Sequence, residues 1–235
     1  MKLAPREFIA LVAPIAIVLR LEGSPIFPSL RIAQAAHETG WTIHDWNNLV
    51  GYKVGSGTLT SYWRGRSVST KTWEVYEGVR YDDAQANWRA YDSIADCFRD
   101  QDLLFEWSRY DRVRAARTPE EQAHALQACG YATDPAYTQM LINTISLYDL
   151  KKFDDEVIRV LAEIRNEINN LQERMTELEN EKKQAAPEWF VKEFGSSDLG
   201  GLINDPHGSE GFWRTIAVVM RAAKAGKLGL KAAGD

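Results

Sequence analysis

Residues 27–41 have the sequence FPSLRIAQAAHETGW, which carries signals for the start, the interior and the end of a helix. Pro28 suits the first turn of a helix, and the residues from Leu30 to Ala36 are rich in helix formers. Gly40 is a natural stop, because glycine readily adopts the left-handed conformation that ends many helices. The segment therefore predicts a helix from Pro28 to Glu38 or Thr39, with a carboxylate in its last turn.

The flanking segments predict a mainly helical α+β domain. Residues 5–21 favour a helix that is broken or kinked at Pro14. Residues 67–76 and 87–91 are rich in threonine, valine and aromatic residues, and the turn residues Glu77-Gly78 between them favour a small β-hairpin lobe. Later helix starts are indicated at Ser93, Thr118-Pro119 and Asp134-Pro135. One face of the first helix is expected to carry Phe8, Leu11, Val12, Ile15, Val18 and Leu19.

Composition excludes several classes of protein. The 235 residues carry a net charge of −5, which argues against a strongly basic surface for nucleic acid. Two cysteines exclude a disulfide scaffold and are expected as free thiols. His37-Glu38 begins like a zinc-protease motif, but Trp41 stands where the second histidine should be. We therefore expect neither a metal site nor a cofactor.

The apolar run from Phe8 to Leu19 imitates a secretory signal peptide. It is too short to span a membrane, and no cleavage site of small residues follows it. A buried helix is the favoured interpretation. The sequence therefore predicts no stable membrane insertion and no export signal, so that the protein accumulates in the cytoplasm.

Four blocks of sequence resemble the bacterial glucosaminidase family, and they occur in the family's order over roughly residues 5–150. This family comprises peptidoglycan hydrolases such as autolysins, flagellar wall hydrolases and phage endolysins. The first block is the segment 27–41 and the second is Asn48-Leu49-Val50-Gly51-Tyr52-Lys53. The third combines Thr72-Trp73-Glu74 with Trp88-Arg89-Ala90-Tyr91-Asp92-Ser93, and the fourth is Gly130-Tyr131-Ala132-Thr133-Asp134-Pro135-Ala136-Tyr137.

The resemblance implies a lysozyme-like fold and hydrolysis of the glycan of the bacterial wall. Carried over by motif, Glu38 is the general acid and Glu74, on the hairpin, is the second acidic residue. Tyr131 lies across the cleft and assists at the sugar. Three further residues of the matching blocks are expected to bind substrate: Trp41, Asn48 and Tyr137.

Elementary chemistry supports the assignment of Glu38. Glycoside hydrolysis needs a protonated carboxyl group beside the leaving oxygen, and partial burial near Ala35, Ala36 and Trp41 would raise the pKa of Glu38. A second group must activate water or stabilise the oxocarbenium ion. That group is either Glu74 or the N-acetyl group of the substrate, and in the second case Glu74 matters less.

Other residues keep two interpretations. Glu74 is either the second carboxylate or an exposed hairpin charge, and Tyr131 either assists catalysis or packs under the next helix. His37 either tunes Glu38 or lies on the helix surface. The aromatic side chains at Trp63, Trp73 and Trp88 either stack on sugar faces or form the core of the hairpin lobe.

The chain after residue 153 predicts an appendage. Apolar residues recur with 4-3 spacing in residues 154–184, at Val157, Leu161, Ile164, Ile168, Leu171, Met175 and Leu178. This seam favours a homodimer through residues 157–178, and the alternative is one amphipathic helix lying on the catalytic domain. Residues 185–235 resemble a small helical module of some wall hydrolases, which implies wall attachment or oligomerisation. The expected domains are thus 1–153, 154–184 and 185–235.

Together these patterns predict an endo-β-N-acetylglucosaminidase that cleaves peptidoglycan between N-acetylglucosamine and N-acetylmuramic acid, as a phage endolysin does. A muramidase on the same fold is the first alternative. A wall-binding or phage structural protein that keeps the fold without activity is the second.

Overall fold

A computed structural model describes residues 1–76, 79–132 and 134–227, and the side chains of residues 72–84 lie outside the description. The predicted α+β fold, mainly helical with a β-hairpin, is confirmed. None of the described helices is both long and apolar enough to cross a membrane. The elements are α1 (Pro5–Leu21), α2 (Pro28–Thr39), β1 (Ser67–Tyr76), β2 (Val79–Arg89), α3 (Ile94–Phe105), α4 (Asp111–Ala115), α5 (Pro119–Ala128), α6 (Tyr137–Leu147), α7 (Lys151–Lys182), α8 (Glu188–Phe194) and α9 (Glu210–Lys224).

Helix α2 is the central element of the first compact unit and packs against α1, α5 and α6. Every residue from Pro28 to Ala36 is buried, as expected for a helix covered on all sides. The carboxylate of Asp154 holds its first turn, accepting hydrogen bonds from the Ser29 backbone N–H at 2.9 Å and the Ser29 hydroxyl at 2.6 Å. Gly40 ends the helix with φ of 57°, as predicted. Glu38 is thereby placed at the end of a helix that is fixed at both termini.

Helix α1 is continuous across Pro14, where the sequence predicts a break or kink. Leu11 and Val18, expected on its core face, are 54% and 50% exposed. The buried face of α1 is rotated relative to the expected face and includes Ala13 and Ala16. These two side chains are small enough to let the helix pack closely against its neighbours. The buried residues are Phe8, Ile9, Val12, Ala13, Ala16 and Leu19.

Strands β1 and β2 form an antiparallel hairpin that pairs Ser67 with Arg89 at its base. The second strand begins at Val79, so it is longer than the strand predicted at residues 87–91. Its aspartates and alanines have low strand propensity, and pairing with β1 overrides that preference. The register shifts between Thr72 and Glu74, as at a β-bulge. The predicted turn at 77–78 lies outside the described residues.

The base of the hairpin is tied to the helical body by one buried carboxylate. Asp100 on α3 accepts hydrogen bonds from the Arg89 guanidinium and the Tyr91 hydroxyl, each at 2.7 Å, and from the Thr60 hydroxyl at 2.6 Å. Because three separate segments meet at this carboxylate, the hairpin is fixed at its root beside the end of α2.

The first compact unit extends to Ala162, beyond the domain boundary that the sequence places after residue 153. Asp154 and Val157, in the first turns of α7, are buried. Both are therefore part of the body that carries Glu38. The second unit begins at Glu163.

The second unit contains the rest of α7 together with α8 and α9. It has its own small core, in which Phe190 and Trp213 are fully buried with ring centroids 4.8 Å apart. Ser209 caps α9, because its hydroxyl accepts a hydrogen bond from the Phe212 backbone N–H at 3.2 Å. This core joins α8 to α9.

Candidate active site

Glu38 lies in the last turn of α2, and its side chain faces an open cleft. Protein atoms still crowd the carboxyl group: its Oε2 atom lies 3.0 Å from the position that a Cβ atom would take on Gly51. The loss of surrounding water raises the pKa of Glu38 to about 7. Such a carboxyl group is partly protonated at neutral pH, as a general acid must be.

The cleft beside Glu38 has a volume of about 350 Å³ and lies between the end of α2 and the β-hairpin. His44 and Trp46 line it with their rings stacked, 4.1 Å apart and 8° from parallel. Trp88 lines it from the hairpin and donates its indole N–H to the Thr70 hydroxyl at 2.7 Å. Aromatic faces beside polar groups suit the flat, hydroxyl-rich surface of a sugar.

Asn48 also lines the cleft, but its side chain serves the protein's own loop. Its amide donates to the carbonyl oxygens of Tyr52 at 2.8 Å and Arg89 at 2.9 Å, and its side-chain oxygen accepts from the Tyr52 N–H at 3.1 Å. These bonds tie residues 48–52 to the end of β2. Asn48 therefore helps to hold Gly51 beside Glu38. Its contact with substrate stays a prediction.

Tyr131 and Tyr137 form a pair close to Glu38, with ring centroids 6.1 Å apart. The hydroxyl oxygen of Tyr131 accepts a hydrogen bond from Gln101 at 2.9 Å, and that of Tyr137 accepts one from Gln34 at 3.0 Å. Burial raises the pKa of each hydroxyl, and the nearby charge of Glu38 raises it further. The structure thus brings the predicted acid and both predicted tyrosines together.

The predicted tryptophans occupy different environments. Trp88 faces the cleft, whereas Trp63 is 2% exposed and donates its indole N–H to the Arg66 carbonyl oxygen at 2.7 Å. Trp63 is therefore a core residue at the hairpin base. Trp41 packs edge-on against Phe8 and Tyr148, with centroids 5.5 and 5.1 Å away.

Two predicted residues have side chains outside the description, Trp73 and Glu74. The backbone places Glu74 on β1, paired with Tyr81, four residues beyond Thr70 in the cleft wall. At the rise of an extended strand, four residues span roughly 13 Å.

His37 lies on the helix surface rather than in the cleft. Its side chain is exposed and hydrogen-bonds the Thr144 hydroxyl at 3.0 Å. The surface interpretation is the one that this contact supports. Within the described residues, no group of three or more histidine, cysteine or acidic side chains could bind a metal ion.

Sequence reasoning missed several residues around Glu38. His44 and Trp46 fall between the matching blocks, where nothing but their aromatic character marks them. Gln34 lies one turn before Glu38 on α2, a spacing that places both on one helix face. Gln101 is on α3, and its contact with Tyr131 arises from the packing of distant segments.

The model of the glucosaminidase family, described as mannosyl-glycoprotein endo-beta-N-acetylglucosaminidase, matches residues 17–150. Exo-glucosaminidase LytG of Bacillus subtilis is 33% identical over 140 residues, covering 55% of this chain and 47% of that protein. Peptidoglycan hydrolase FlgJ of Salmonella typhimurium is 34% identical over 148 residues, covering 61% of this chain and 46% of that protein. The chain therefore spans under half the length of these relatives.

Solved structures of a peptidoglycan hydrolase and an autolysin also align with this chain. A peptidoglycan hydrolase mutant from Sphingomonas sp. A1 aligns with a TM-score of 0.53 and 31% identity, covering 65% of this chain and 99% of that one. The catalytic domain of the autolysin Auto from Listeria monocytogenes also aligns with a TM-score of 0.53, at 29% identity, covering 63% of this chain and 86% of that one. The residues that match the family model, 17–150, lie in the unit that carries Glu38.

Proposed function

The chain belongs to the glucosaminidase family, and from that premise we propose that it hydrolyses the β-1,4 bond of peptidoglycan on the reducing side of N-acetylglucosamine. The observation that carries this proposal is the position of Glu38: its carboxyl group faces an open cleft and lies close to Gly51, and desolvation raises its pKa to about 7. An open cleft accommodates the middle of a glycan chain, which supports an endo-acting enzyme.

In this mechanism, Glu38 donates its proton to the glycosidic oxygen as the bond to the anomeric carbon breaks. The leaving sugar departs with that proton, and an oxocarbenium-like centre develops on the N-acetylglucosamine. Water then adds to this centre and passes its proton to a carboxylate, which is either Glu74 or the Glu38 carboxylate left by the first step. The sugar lies against the aromatic rings of the cleft, among them Trp88, which orient the bond beside Glu38.

A second group must stabilise the positive centre, and two candidates remain. Glu74 is the choice carried over from the family blocks. The N-acetyl carbonyl of the substrate is the other, and it needs no second carboxylate. Tyr131 supports the reaction from beside Glu38, as a hydroxyl that hydrogen-bonds the substrate.

The cleaved bond is identified by digesting purified peptidoglycan, reducing the new ends with borohydride and analysing the sugars by mass spectrometry. We expect reduced N-acetylglucosamine, together with a rapid fall in glycan length from endo cleavage. Reduced N-acetylmuramic acid would instead assign a muramidase. No product from the wild-type protein would leave a non-catalytic wall-binding role.

We also propose that the protein forms a dimer through α7. Six apolar residues of the 4-3 seam are 49–62% exposed, so the seam has no cover within the chain's described part. Val157, the first residue of the predicted seam, is buried in the first unit, so the available surface begins at Leu161. In a parallel pair, Arg174 and Glu179 occupy facing flank positions with opposite charge. The exposed residues are Leu161, Ile164, Ile168, Leu171, Met175 and Leu178.

Light scattering of full-length variants tests the dimer. Replacing Ile168 and Leu171 with lysine places charges in the seam and should give a monomer. Asn170→Lys adds a charge outside the seam and should remain dimeric. A monomeric wild-type protein at micromolar concentration would refute the proposal. If the dimer forms, whole-cell lysis should fall in the monomeric variant while cleavage of soluble glycan is unchanged, because only avidity is lost.

For cellular location, we propose that α1 stays in the working protein and that the enzyme accumulates in the cytoplasm until it is released to the wall, as a phage endolysin does. Phe8 and Val12 are fully buried, so removal of this helix would open the core. Intact mass and cell fractionation after expression test this proposal. Loss of residues 1–21 from an active form would contradict it.

A further inference from the structure

The amide of Gln101 has only one orientation compatible with its neighbours. Gln101 is fully buried on α3, and its side-chain oxygen accepts a hydrogen bond from the Arg31 guanidinium at 3.0 Å. A guanidinium has donors and no acceptor, so a reversed amide would place the NH₂ group of Gln101, another donor, against the N–H of Arg31. The Gln101 oxygen must therefore face Arg31, and its NH₂ group must face Tyr131.

This orientation determines which way the Tyr131 hydroxyl points. The Gln101 NH₂ group donates to the Tyr131 oxygen at 2.9 Å, so this oxygen is the acceptor. Its own O–H must then point away from α3. No acceptor for that O–H exists among the described residues, although Tyr131 is close enough for the charge of Glu38 to affect it. The hydroxyl proton is thus not donated to any described residue.

Arg31 is itself held on several sides. It is 1% exposed and forms an ion pair with Asp102, and it donates to the Ser24 hydroxyl at 2.8 Å. It lies on α2, seven residues before Glu38, which corresponds to about two helical turns. The same rigid helix therefore carries the proposed acid and the cation that begins the chain of contacts to Tyr131.

We propose that Gln101 is a positioning residue: held by Arg31, it directs the Tyr131 hydroxyl proton to the bound sugar. The inference rests on the proposed hydrolase function and extends it. It assigns the orientation of the Tyr131 hydroxyl to Gln101, a residue outside the family's matching blocks. The proton serves as a hydrogen-bond donor to a substrate oxygen and remains on Tyr131 throughout.

In a second glutamine–tyrosine pair, no described arginine fixes the orientation of the glutamine amide. Gln34 donates to the Tyr137 hydroxyl, but its own side-chain oxygen is buried and has no hydrogen-bond partner among the described residues. Its amide is therefore not held by a cation as that of Gln101 is. Tyr137 is consequently the natural comparison for a tyrosine whose hydroxyl direction is not set by an arginine.

The decisive variant is Gln101→Glu, which nearly keeps the side-chain shape and reverses the hydrogen bond. A carboxylate accepts from Arg31 and also from the Tyr131 hydroxyl, so the proton turns away from the substrate. Arg31 already pairs with Asp102, so Gln101→Glu adds a negative charge to a buried site, and melting temperature checks that the variant still folds. We expect kcat on purified peptidoglycan to fall about 10²-fold with little change in KM, as when one transition-state donor is lost.

Three comparisons complete the test. Tyr131→Phe should lower kcat equally, and the double variant should be no slower than either single one. Gln139→Glu, the same change at an exposed site on α6, should keep wild-type kcat. A pH profile separates two possible effects of Gln101→Glu. An added negative charge alone would raise the pKa of Glu38 and move the alkaline limb to higher pH. Loss of the Tyr131 hydrogen-bond donor would lower the maximal kcat.

The outcomes separate the role of Gln101 from the hydrolase function. Wild-type kcat in Gln101→Glu, or additive losses in the double variant, would overturn the role of Gln101 and leave the hydrolase function standing. Wild-type kcat in Tyr131→Phe would overturn it equally. A wild-type protein that releases no sugar would refute the proposed function and this inference with it.

Discussion

The Oε2 atom of Glu38 lies 3.0 Å from the position that a Cβ atom would occupy on Gly51. Gly51 also has φ of 67°, a left-handed conformation that favours glycine. The loop of residues 48–52 therefore approaches the carboxyl group as closely as a bare backbone allows. This approach helps to exclude water from Glu38.

We predict that Gly51→Ala impairs both activity and stability. The methyl group meets the Glu38 carboxyl, and the left-handed backbone adds a strain of about 1–2 kcal/mol. Gly55→Ala is the matched control, because Gly55 has φ of 60° and nothing within 4 Å of a Cβ. Both variants should lose stability in denaturant titration, and only Gly51→Ala should lose activity by more than about tenfold. Equal activity in the two variants would mean that the contact does not matter.

The pH dependence of kcat/KM should show an alkaline limb near pH 7. Glu38 acts in its protonated form, and desolvation raises the pKa of this group to about 7, so the active fraction falls as the pH rises beyond that value. Trp46→Ala opens the cleft to water and should shift the limb downward. Trp107→Ala, which removes an exposed ring from a different cavity, should leave the limb in place. An unchanged limb in Trp46→Ala would argue against desolvation as the cause.

Asp154→Ala should destabilise the catalytic unit by about 2 kcal/mol, because two hydrogen bonds to the first turn of α2 are lost. Asp155→Ala, at the exposed neighbouring position, should change stability by less than about 0.5 kcal/mol. For the same reason, a chain that ends after Lys152 should be less stable than one that ends after Ala162. Thermal or denaturant unfolding measures both comparisons, and equal stabilities would place the boundary earlier.

Trp88 and Trp63 should respond differently to replacement by alanine. Trp88→Ala removes a ring from the cleft and should raise KM about 3- to 10-fold. Trp63→Ala leaves a cavity beside the hairpin base and should cost about 3–5 kcal/mol of unfolding free energy. Kinetics and denaturant unfolding of both variants check this. A larger stability loss in Trp88→Ala would reverse the assignment.

The sequence predicted the parts of the site that depend on local signals. Pro28 and Gly40 bound α2 correctly, because helix caps are encoded within a few residues of the helix end. The contact of Asp154 with Ser29 joins residues 125 positions apart, and that of Arg31 with Gln101 joins residues 70 apart. Such contacts depend on how elements pack. Trp41 illustrates the same limit, since Phe8 and Tyr148 determine its packing.

The most direct test of the central claim is the hydrolysis rate of Glu38→Gln on purified peptidoglycan, measured beside the wild type and His37→Gln. The glutamine keeps the shape of Glu38 and lacks the transferable proton, while His37 is an exposed neighbour on the same helix. We predict a folded Glu38→Gln protein whose rate is lower by about 10²–10⁴-fold, with His37→Gln close to wild type. A folded Glu38→Gln variant with near-wild-type activity would contradict the assignment of Glu38 as the general acid.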